Sequence, residues 1–266
     1  MGSPRVLLIV ATLGRRDDLL RHTFASIRIQ DVPADIVVVA PPDAEGTKAL
    51  ADEFGATMLP DPGSLPAAIN LGAQGAQSSH EFINWLNDDD LLEPGSLSVT
   101  TQALDADPGA VVAFGACRYI DPSGQELWVS RAGKWAPRIL GWGPDLIPQP
   151  GMLVRTAAWK RVGGLDEAYR LAFDLDLLLK LKKIGRLVEV DAIVSSFRWH
   201  PDSLTVGDRR TNIAESERAK RAALTPTQRK VAWLWESPVR WATHLAAREV
   251  QRRAKAAKIR NSSRVK

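Results

Sequence analysis

Residues 82–97 read FINWLNDDDLLEPGSL, an apolar run that passes directly into three consecutive acids and then into a helix-like start. The run at 82–86 is typical of a buried strand. The strand should end at Asn87, because Asn and Asp are disfavoured inside strands. Asp88, Asp89 and Asp90 are therefore predicted at the carboxyl end of a strand, which is the edge where open α/β sheets bind their ligands.

Three neighbouring carboxylates repel one another unless a cation or hydrogen-bond donors neutralise them. A hard divalent ion suits this role, because Mg²⁺ is usually held by one or two carboxylates together with substrate phosphates. The acids therefore predict a metal site beside a diphosphate. The alternative from this stretch alone is an Asp-rich turn that caps the helix after Pro94.

The rest of the chain alternates between strand and helix patterns. Apolar, β-branched runs are separated by stretches whose apolar residues recur at helical spacing. This alternation is typical of a mostly parallel sheet with crossover helices, so the predicted fold class is α/β. Residues 119–127 are expected to form a turn on DPSG, and residues 131–150 an irregular loop lining a site. The other predicted strands are 5–11, 35–40, 57–59, 110–116, 152–155 and 188–194.

Two further polar groups follow the acidic stretch. The stretch 174–181, DLDLLLKL, predicts a buried helix with Asp174 and Asp176 at its positive end, where an acid can also be a simple cap. Residues 197–205, FRWHPDSLT, contain Arg198 and His200. A histidine beside Trp and Pro is, on its own, more often packed or exposed than a ligand.

Length and composition narrow the class of protein. A chain of 266 residues with 45% hydrophobic residues buries a substantial core. One cysteine, Cys117, allows no intramolecular disulfide, and the start of the chain does not resemble a secretory leader, so an intracellular protein is expected. The longest apolar runs are far shorter than the roughly 18 residues that cross a bilayer.

The net charge of +4 is unevenly distributed. Residues 218–266 contain 14 Lys and Arg against Glu236 and Glu249, a balance of +12, which leaves −8 for residues 1–217. An acidic body argues against a nucleic-acid partner. We predict one domain at 1–217 and a helical, basic C-terminal extension at 218–266. The helix predicted after Ser237-Pro238 has an apolar face suited to anionic lipid, or to packing on the body or on a partner subunit.

Three separated runs together resemble glycosyltransferase family 2. They are SLPAAINLGAQGAQSSHEFINWLNDDDLLEPGSL, IPQPGMLVRTAAWKRVGGLDEAYRLAFDLDLLLKL and FRWHPDSLT, and the opening VATLGRRDDLLRHTFASI is similar to that family's first strand and helix. The resemblance covers about residues 5–206. It implies a GT-A fold and an inverting enzyme that transfers a hexosyl or deoxyhexosyl group from a nucleoside-diphosphate sugar with the help of Mn²⁺ or Mg²⁺.

The resemblance also implies roles for individual residues. The metal is expected at Asp89, Asp90 and His200, and the catalytic base at Asp174, where a carboxylate would take the proton of an acceptor hydroxyl. Asp176 is a less favoured base, and Arg198 could pair with a body carboxylate instead of a phosphate. Residues expected to contact the donor are Thr12, Arg15, Asp43, Asn70, Asn87, Asp88 and Arg198.

This sequence departs from the family pattern at three places. Asn87 occupies the first position of the Asp-x-Asp motif, Phe173 replaces an acid before Asp174, and Ala40-Pro41-Pro42 displaces the acid after the second strand. These changes affect two predicted features, the identity of the metal ligand and the recognition of the nucleotide base. They motivate one alternative, a catalytically silent nucleotide-sugar-binding protein. The other is a sugar nucleotidyltransferase, for which residues 12–16 are a reduced version of the expected Gly-rich loop.

The expected partners follow from the same resemblance. The acceptor would be a glycan or a lipid-linked glycan, as in the synthesis of cell-envelope polysaccharide. The location would be cytoplasmic, with peripheral attachment to the inner face of the cell membrane through the C-terminal helix. A homodimer is compatible with the chain.

Overall fold

The computed structural model describes residues 4–199, 208–231 and 233, which form one α/β unit around a nine-stranded sheet. The expected α/β class, a central sheet flanked by helices, is confirmed. The predicted helix after Ser237, His200 and residues 234–266 lie outside the described residues. The strands are β1 (Val6–Ala11), β2 (Ala34–Ala40), β3 (Thr57–Pro60), β4 (Phe82–Asn87), β5 (Leu91–Leu92), β6 (Ala110–Ile120), β7 (Glu126–Ser130), β8 (Leu153–Arg155) and β9 (Arg186–Arg198).

The helices cover both faces of this sheet. They are α1 (Asp17–Arg28), α2 (Glu45–Phe54), α3 (Leu65–Gln74), α4 (Ser96–Ala106), α5 (Ala136–Ile139), α6 (Thr156–Val162), α7 (Phe173–Lys182), α8 (Arg209–Ala223) and α9 (Pro226–Val231). Within the part of the chain that the structure describes, no helix combines the length and the apolar character needed to cross a membrane.

The alternation of side chains along β1 explains the two layers of core. Leu7 and Ile9 pack with α3, α6 and α7 on one face of the sheet, whereas Val6, Leu8 and Val10 pack with α1, α2 and α4 on the other. All five side chains are buried. A strand covered on both faces is continuously apolar, which is why this run predicted a central strand correctly.

The strand order is β3-β2-β1-β4-β8-β6-β9-β5, with β7 paired to β6. The chain builds outward from β1 to β3 and then returns to place β4 on the other side of β1, so the strand order reverses between β1 and β4. The first four strands are parallel as expected. The second half is mixed, because β8 runs antiparallel to both β4 and β6, and β5 and β7 are also antiparallel.

Two sequence-based boundaries were wrong, and β5 and β7 were not predicted as strands. The predicted turn at 119–127 is limited to 121–125, because β6 continues to Ile120 and pairs with β7. The last predicted strand continues from Val194 to Arg198, since β9 pairs with β6 and with β5. The two residues of β5 were not predicted, because so short a strand has no periodicity.

The predicted domain boundary after residue 217 falls within α8. This helix packs against α7, and Ala219 is 1% exposed. The division into a domain and an extension remains a prediction.

Candidate active site

The reversal of strand order brings the loop after β1 beside the acidic turn after β4. Ala11 is paired with Asn87, so the next residues, Thr12 and Asp88, leave the sheet side by side. The Thr12 hydroxyl donates to Asp88 Oδ2 over 2.6 Å and accepts from the backbone N of Gly14 over 3.0 Å. Two predicted site residues that are 76 positions apart are thus in direct contact at the ligand-binding edge of the sheet.

Asp88 and Asp89 converge on one cation, the guanidinium of Arg16. Its Nη2 lies 2.7 Å from Asp88 Oδ1 and its Nη1 lies 2.6 Å from Asp89 Oδ2. The two carboxylates are nearly buried, whereas the Arg16 side chain is 41% exposed. Burial raises the pKa of Asp88, although the hydrogen bond from Thr12 and the charge of Arg16 oppose this. The sequence had pointed to Arg15, since nothing in the pattern RR distinguishes the two, and Arg15 as a donor contact remains a prediction.

Asp90 has different surroundings from the two acids before it. It is fully buried, and its carboxylate accepts from Asn87 Nδ2 over 2.8 Å and from the backbone N of Arg198 over 3.4 Å. Burial, together with the charge of Asp89, raises its pKa well above the ordinary value. Asp90 and Asn87 therefore brace the turn and connect it to β9.

The donor set at this turn fits a divalent metal. Asp88 and Asp89 place carboxylate oxygens around a single position that a cation already occupies, and oxygen ligands of this kind suit Mg²⁺ or Mn²⁺ completed by phosphate oxygens. Residues 4–199, 208–231 and 233 contain no group of three or more His, Cys, Asp or Glu arranged to hold a metal. His200, the third predicted ligand, is not among them.

Arg198 connects the acidic turn to the neighbouring hairpin. Its guanidinium is buried and donates to three backbone carbonyl groups, those of Asp89 (3.3 Å), Asp121 (3.1 Å) and Pro122 (3.0 Å). The structure therefore places Arg198 next to the predicted site, where it stabilises the acidic turn through the backbone O of Asp89.

The other two predicted donor contacts occupy different positions. Asp43 is exposed in the turn after β2, next to Ala44, which faces the β1 loop across Gly14. Gly14 has a φ of 66°, and a Cβ there would come within 2.5 Å of the Ala44 Cβ, so the close approach of the two loops requires glycine. Asn70 instead binds the turn before α7, where its amide bonds both the N and O atoms of Leu165 over 2.9 Å.

Asp174 lies in the first turn of α7 and is half-buried. The preceding Phe173 is buried, with its ring centroid 6.4 Å from that of Trp85 in β4. The residue that departs from the family pattern therefore anchors the start of α7 on the strand that leads to the acids. Burial raises the pKa of Asp174 to about 6, against a hydrogen bond from the backbone N of Leu175. Asp176 differs, because it forms an ion pair with Lys180 over 2.6 Å.

Sequence reasoning missed Asp145, which lies in the unassigned loop. The residue is exposed, and its carboxylate Oδ1 accepts a hydrogen bond from the backbone N of Ile147 over 3.0 Å. Desolvation of the carboxylate, together with the negative charge of Asp174, raises the pKa of Asp145. Asp145 and Asp174 are therefore electrostatic neighbours from a loop and a helix. No periodicity in a Gly- and Pro-rich loop could have indicated this.

The charges of one acid from each of the two acidic groups act on Tyr119. Burial raises the pKa of its phenol, and the charges of both Asp90 and Asp145 act in the same direction. Its ring stacks on Trp128 with centroids 4.4 Å apart. Tyr119 is therefore within electrostatic range of one acid from the acidic turn and of one from the Asp145–Asp174 pair.

The C-terminal end of the loop at residues 131–150, which precedes β8, is hydrogen-bonded to β4. Gln149 Nε2 donates to the backbone O of Trp85 over 2.7 Å, and Asn84 Nδ2 donates to the backbone O of Pro150 over 2.9 Å. Earlier in the same loop, Trp135 and Trp142 are more than half exposed. One end of the loop is thus held on β4, while its aromatic side chains are open to a ligand.

The sequence comparison agrees with this geometry. The model of "Glycosyl transferase family 2" matches residues 8–159, more than half of the chain, from β1 through the acidic turn to α6. The fold and the acidic strand end define a GT-A glycosyltransferase, and the chain belongs to glycosyltransferase family 2. No curated protein matches it.

Solved structures share the fold. The structure of TarS residues 1–349 from S. aureus with UDP-GlcNAc has a TM-score of 0.64 at 17% identity, covering 86% of this chain and 70% of that one. The mannosyltransferase PcManGT from Pyrobaculum calidifontis, with GDP-Man and Mn²⁺, has a TM-score of 0.61 at 17% identity, covering 99% and 76%. At this identity the likeness concerns the fold.

Proposed function

We propose that this glycosyltransferase transfers a hexosyl or deoxyhexosyl group from a nucleoside-diphosphate sugar to an acceptor hydroxyl, with inversion at the anomeric carbon. The observation that carries the proposal is the presence of two different carboxylate environments in one α/β unit. Asp88 and Asp89 converge on a cation, whereas the surroundings of Asp174 raise its pKa. One environment suits a metal-bound diphosphate, and the other suits proton removal.

In the proposed reaction, Asp174 accepts the proton of the acceptor hydroxyl as that oxygen bonds to the anomeric carbon. The bond between this carbon and the diphosphate breaks in the same displacement, so no covalent enzyme intermediate is needed. A bound divalent metal would stabilise the negative charge that develops on the departing nucleoside diphosphate. Asp88 and Asp89 would hold it, and Asp90 and His200 are the further candidates from the sequence.

The donor side of the proposed site is the edge shared by β1, β2 and β4. Arg16 lies beside the two acids with a side chain that is 41% exposed, and we propose that it contacts a diphosphate oxygen of the bound donor. Thr12, Arg15 and Asp43 remain proposed donor contacts at this edge. Asn70, Asn87 and Arg198 would act on the donor indirectly, since their polar atoms bind neighbouring turns.

The acceptor side of the proposed site is the loop at residues 131–150. This loop contributes Asp145 beside Asp174, and its exposed rings of Trp135 and Trp142 offer apolar surface to a sugar ring. We propose a glycan or lipid-linked glycan as acceptor, of the kind used in cell-envelope polysaccharide. A homodimer is a separate proposal.

Donor binding is expected to require metal. A thermal-shift panel of UDP, GDP, TDP, UDP-GlcNAc and GDP-mannose, each with Mn²⁺, Mg²⁺ or EDTA, should show a raised unfolding midpoint for one nucleotide family only when metal is present, because ligands that bind the folded state stabilise it. Release of nucleoside diphosphate from the same donor would exclude a silent binding protein. Equal shifts with and without metal would contradict the metal-dependent proposal.

Peripheral attachment to the inner face of the membrane is a separate proposal for the basic C-terminal residues. Full-length protein should float with vesicles containing phosphatidylglycerol, whereas a chain ending at Trp233 should remain with the soluble fraction. Each Lys or Arg near an anionic surface contributes about 1 kcal/mol of attraction, and the truncation removes these residues. The truncation spares α8, which packs on the body. Equal flotation of the two chains would exclude attachment by this segment.

A further inference from the structure

Helix α8 contacts both segments that carry the proposed acceptor-side acids. The carboxylate of Glu215 accepts hydrogen bonds from three successive backbone N atoms, those of Arg170 (3.0 Å), Leu171 (2.8 Å) and Ala172 (3.0 Å). These residues directly precede α7, whose N-cap residue, Ala172, has no side chain able to cap. A carboxylate from α8 therefore supplies the negative group that the start of α7 requires.

This contact is strong enough to change the titration of the glutamate. Burial alone would raise the pKa of Glu215, but the three backbone hydrogen bonds and the charge of Arg218 outweigh it, and the pKa is lowered. Arg218 adds a second attachment to the same turn, with Nη2 donating to the backbone O of Ala168 over 2.6 Å and the guanidinium 4.0 Å above the Tyr169 ring. The segment 168–172 is thus held by two side chains of α8, two residues before Asp174.

The next turn of α8 contacts the loop that carries the other acid, Asp145. Lys220 Nζ donates to the backbone O of Gly143 over 2.5 Å, two residues before Asp145. The positive charge of Lys220 also opposes the rise in the pKa of Asp145. The adjacent Ala219 is buried in the core together with residues of α7, so the helix is anchored between these contacts.

We propose that α8 positions the acceptor side of the active site, with Glu215 setting the start of α7 that carries Asp174 and Lys220 setting the loop that carries Asp145. The inference rests on the proposed function of Asp174 as the base. It goes beyond the family match, because α8 lies after its last matched residue, 159. Glu215 and Lys220 are positioning residues, since they act on the reaction through the backbone of other segments.

Substitution of Glu215 should separate kcat from donor binding. Glu215→Gln keeps the size and one acceptor oxygen, so kcat should fall about 10-fold, and Glu215→Ala should lower it about 10²-fold, as expected for a base displaced by about 1 Å. The KM for the donor and the thermal shift by the nucleotide with Mn²⁺ should be unchanged. Glu53→Gln and Glu53→Ala are matched controls, because Glu53 forms an exposed ion pair with Arg21 on α1.

Substitution of Lys220 gives an independent readout. The charged and titratable groups that bear on the pair of acids are Asp145 and Asp174 themselves, Lys220 and the phenol of Tyr119. Glu215 is occupied by the backbone and Asp176 by Lys180. Lys220→Met keeps the aliphatic stem but removes the charge. The acid limb of the kcat profile should therefore move to higher pH, because loss of the cation raises the pKa of Asp145 and of the coupled pair.

The outcomes distinguish this inference from the proposed function. Unchanged kcat in Glu215→Ala, or equal losses in kcat and in nucleotide-induced thermal shift, would overturn the positioning role. An unmoved acid limb in Lys220→Met would overturn it as well, and this variant serves as the test if the Glu215 variants do not fold. If Asp174→Asn is fully active, the proposed function itself fails. An inactive Asp174→Asn with normal Glu215 and Lys220 variants refutes only the role of α8.

Discussion

Replacement of Asp174 by Asn is expected to lower sugar transfer by about 10³-fold, within the range that a positioned general base contributes. The substitution keeps the size of the side chain and its place at the start of α7 but removes the group that accepts the proton. Because the metal and the diphosphate are proposed to bind at Asp88 and Asp89, donor binding should be retained. The measurement is release of nucleoside diphosphate under saturating donor, with and without acceptor.

Asp176→Asn is the matched control for this experiment. Asp176 is on the same helix two residues later, but its carboxylate is paired with Lys180, so its loss should lower the unfolding midpoint more than it lowers kcat. An active Asp174→Asn enzyme would remove the assignment. An inactive Asp176→Asn enzyme of normal stability, beside an active Asp174→Asn enzyme, would transfer the role of base to Asp176.

The pH profile of the unmodified enzyme follows from the same residue. Burial raises the pKa of Asp174 to about 6, and a general base works only when it is deprotonated. Activity should therefore be low below this pH, rise through it and reach a plateau above it. The metal-dependent thermal shift, measured over the same range, shows whether a loss at low pH comes from the base or from the donor site.

The second large effect concerns the metal. Asp89→Asn should weaken binding of Mn²⁺ in the presence of the nucleoside diphosphate by about 10²-fold, at least the size of effects seen for groups that only support metal ligands. Asp88→Asn should have a similar effect, because both carboxylates face the same cation. The measurement is a Mn²⁺ titration followed by calorimetry or by electron paramagnetic resonance.

Asp90→Asn tests the remaining acid of the motif. Its carboxylate is fully buried and occupied by Asn87 and by the backbone of Arg198, so we expect a smaller loss of Mn²⁺ affinity together with a lower unfolding midpoint. A loss equal to that of Asp89→Asn would instead make Asp90 a ligand, as its place in the sequence motif predicted. Unchanged Mn²⁺ affinity in all three variants would contradict a metal site at this turn.

Much of the architecture follows from local patterns. β1 is a continuous apolar run and β4 is apolar apart from Asn84 and Asn87, and such runs form strands when helices cover both faces of the sheet. The strand at β4 ends at Asn87, directly before the three acids, as strand propensity predicted. Helices α4 and α7 begin close to the predicted residues for the same reason, because their apolar residues recur at helical spacing.

Local sequence patterns predicted fewer of the contacts in the candidate site. The pairing of Arg16 with the acids was not predicted, since only the direction in which the chain enters α1 decides which arginine faces them. Asp145 was missed because its loop has no regular pattern. Arg198 was expected at a phosphate, but the packing of β9 against the hairpin of β6 and β7 turns its guanidinium toward backbone carbonyl groups.

The sequence alone determined the family, most of the order of strands and helices, and the place of the acidic turn, because these depend on neighbouring residues and on their spacing. Only the tertiary structure decided which acids face a cation, which acid accompanies Asp174, and that Glu215 caps the helix of the proposed base. Each of these contacts joins residues separated by tens of positions. The packing of whole helices and strands decides which residues meet in these contacts, and the propensities of neighbouring residues do not determine that packing.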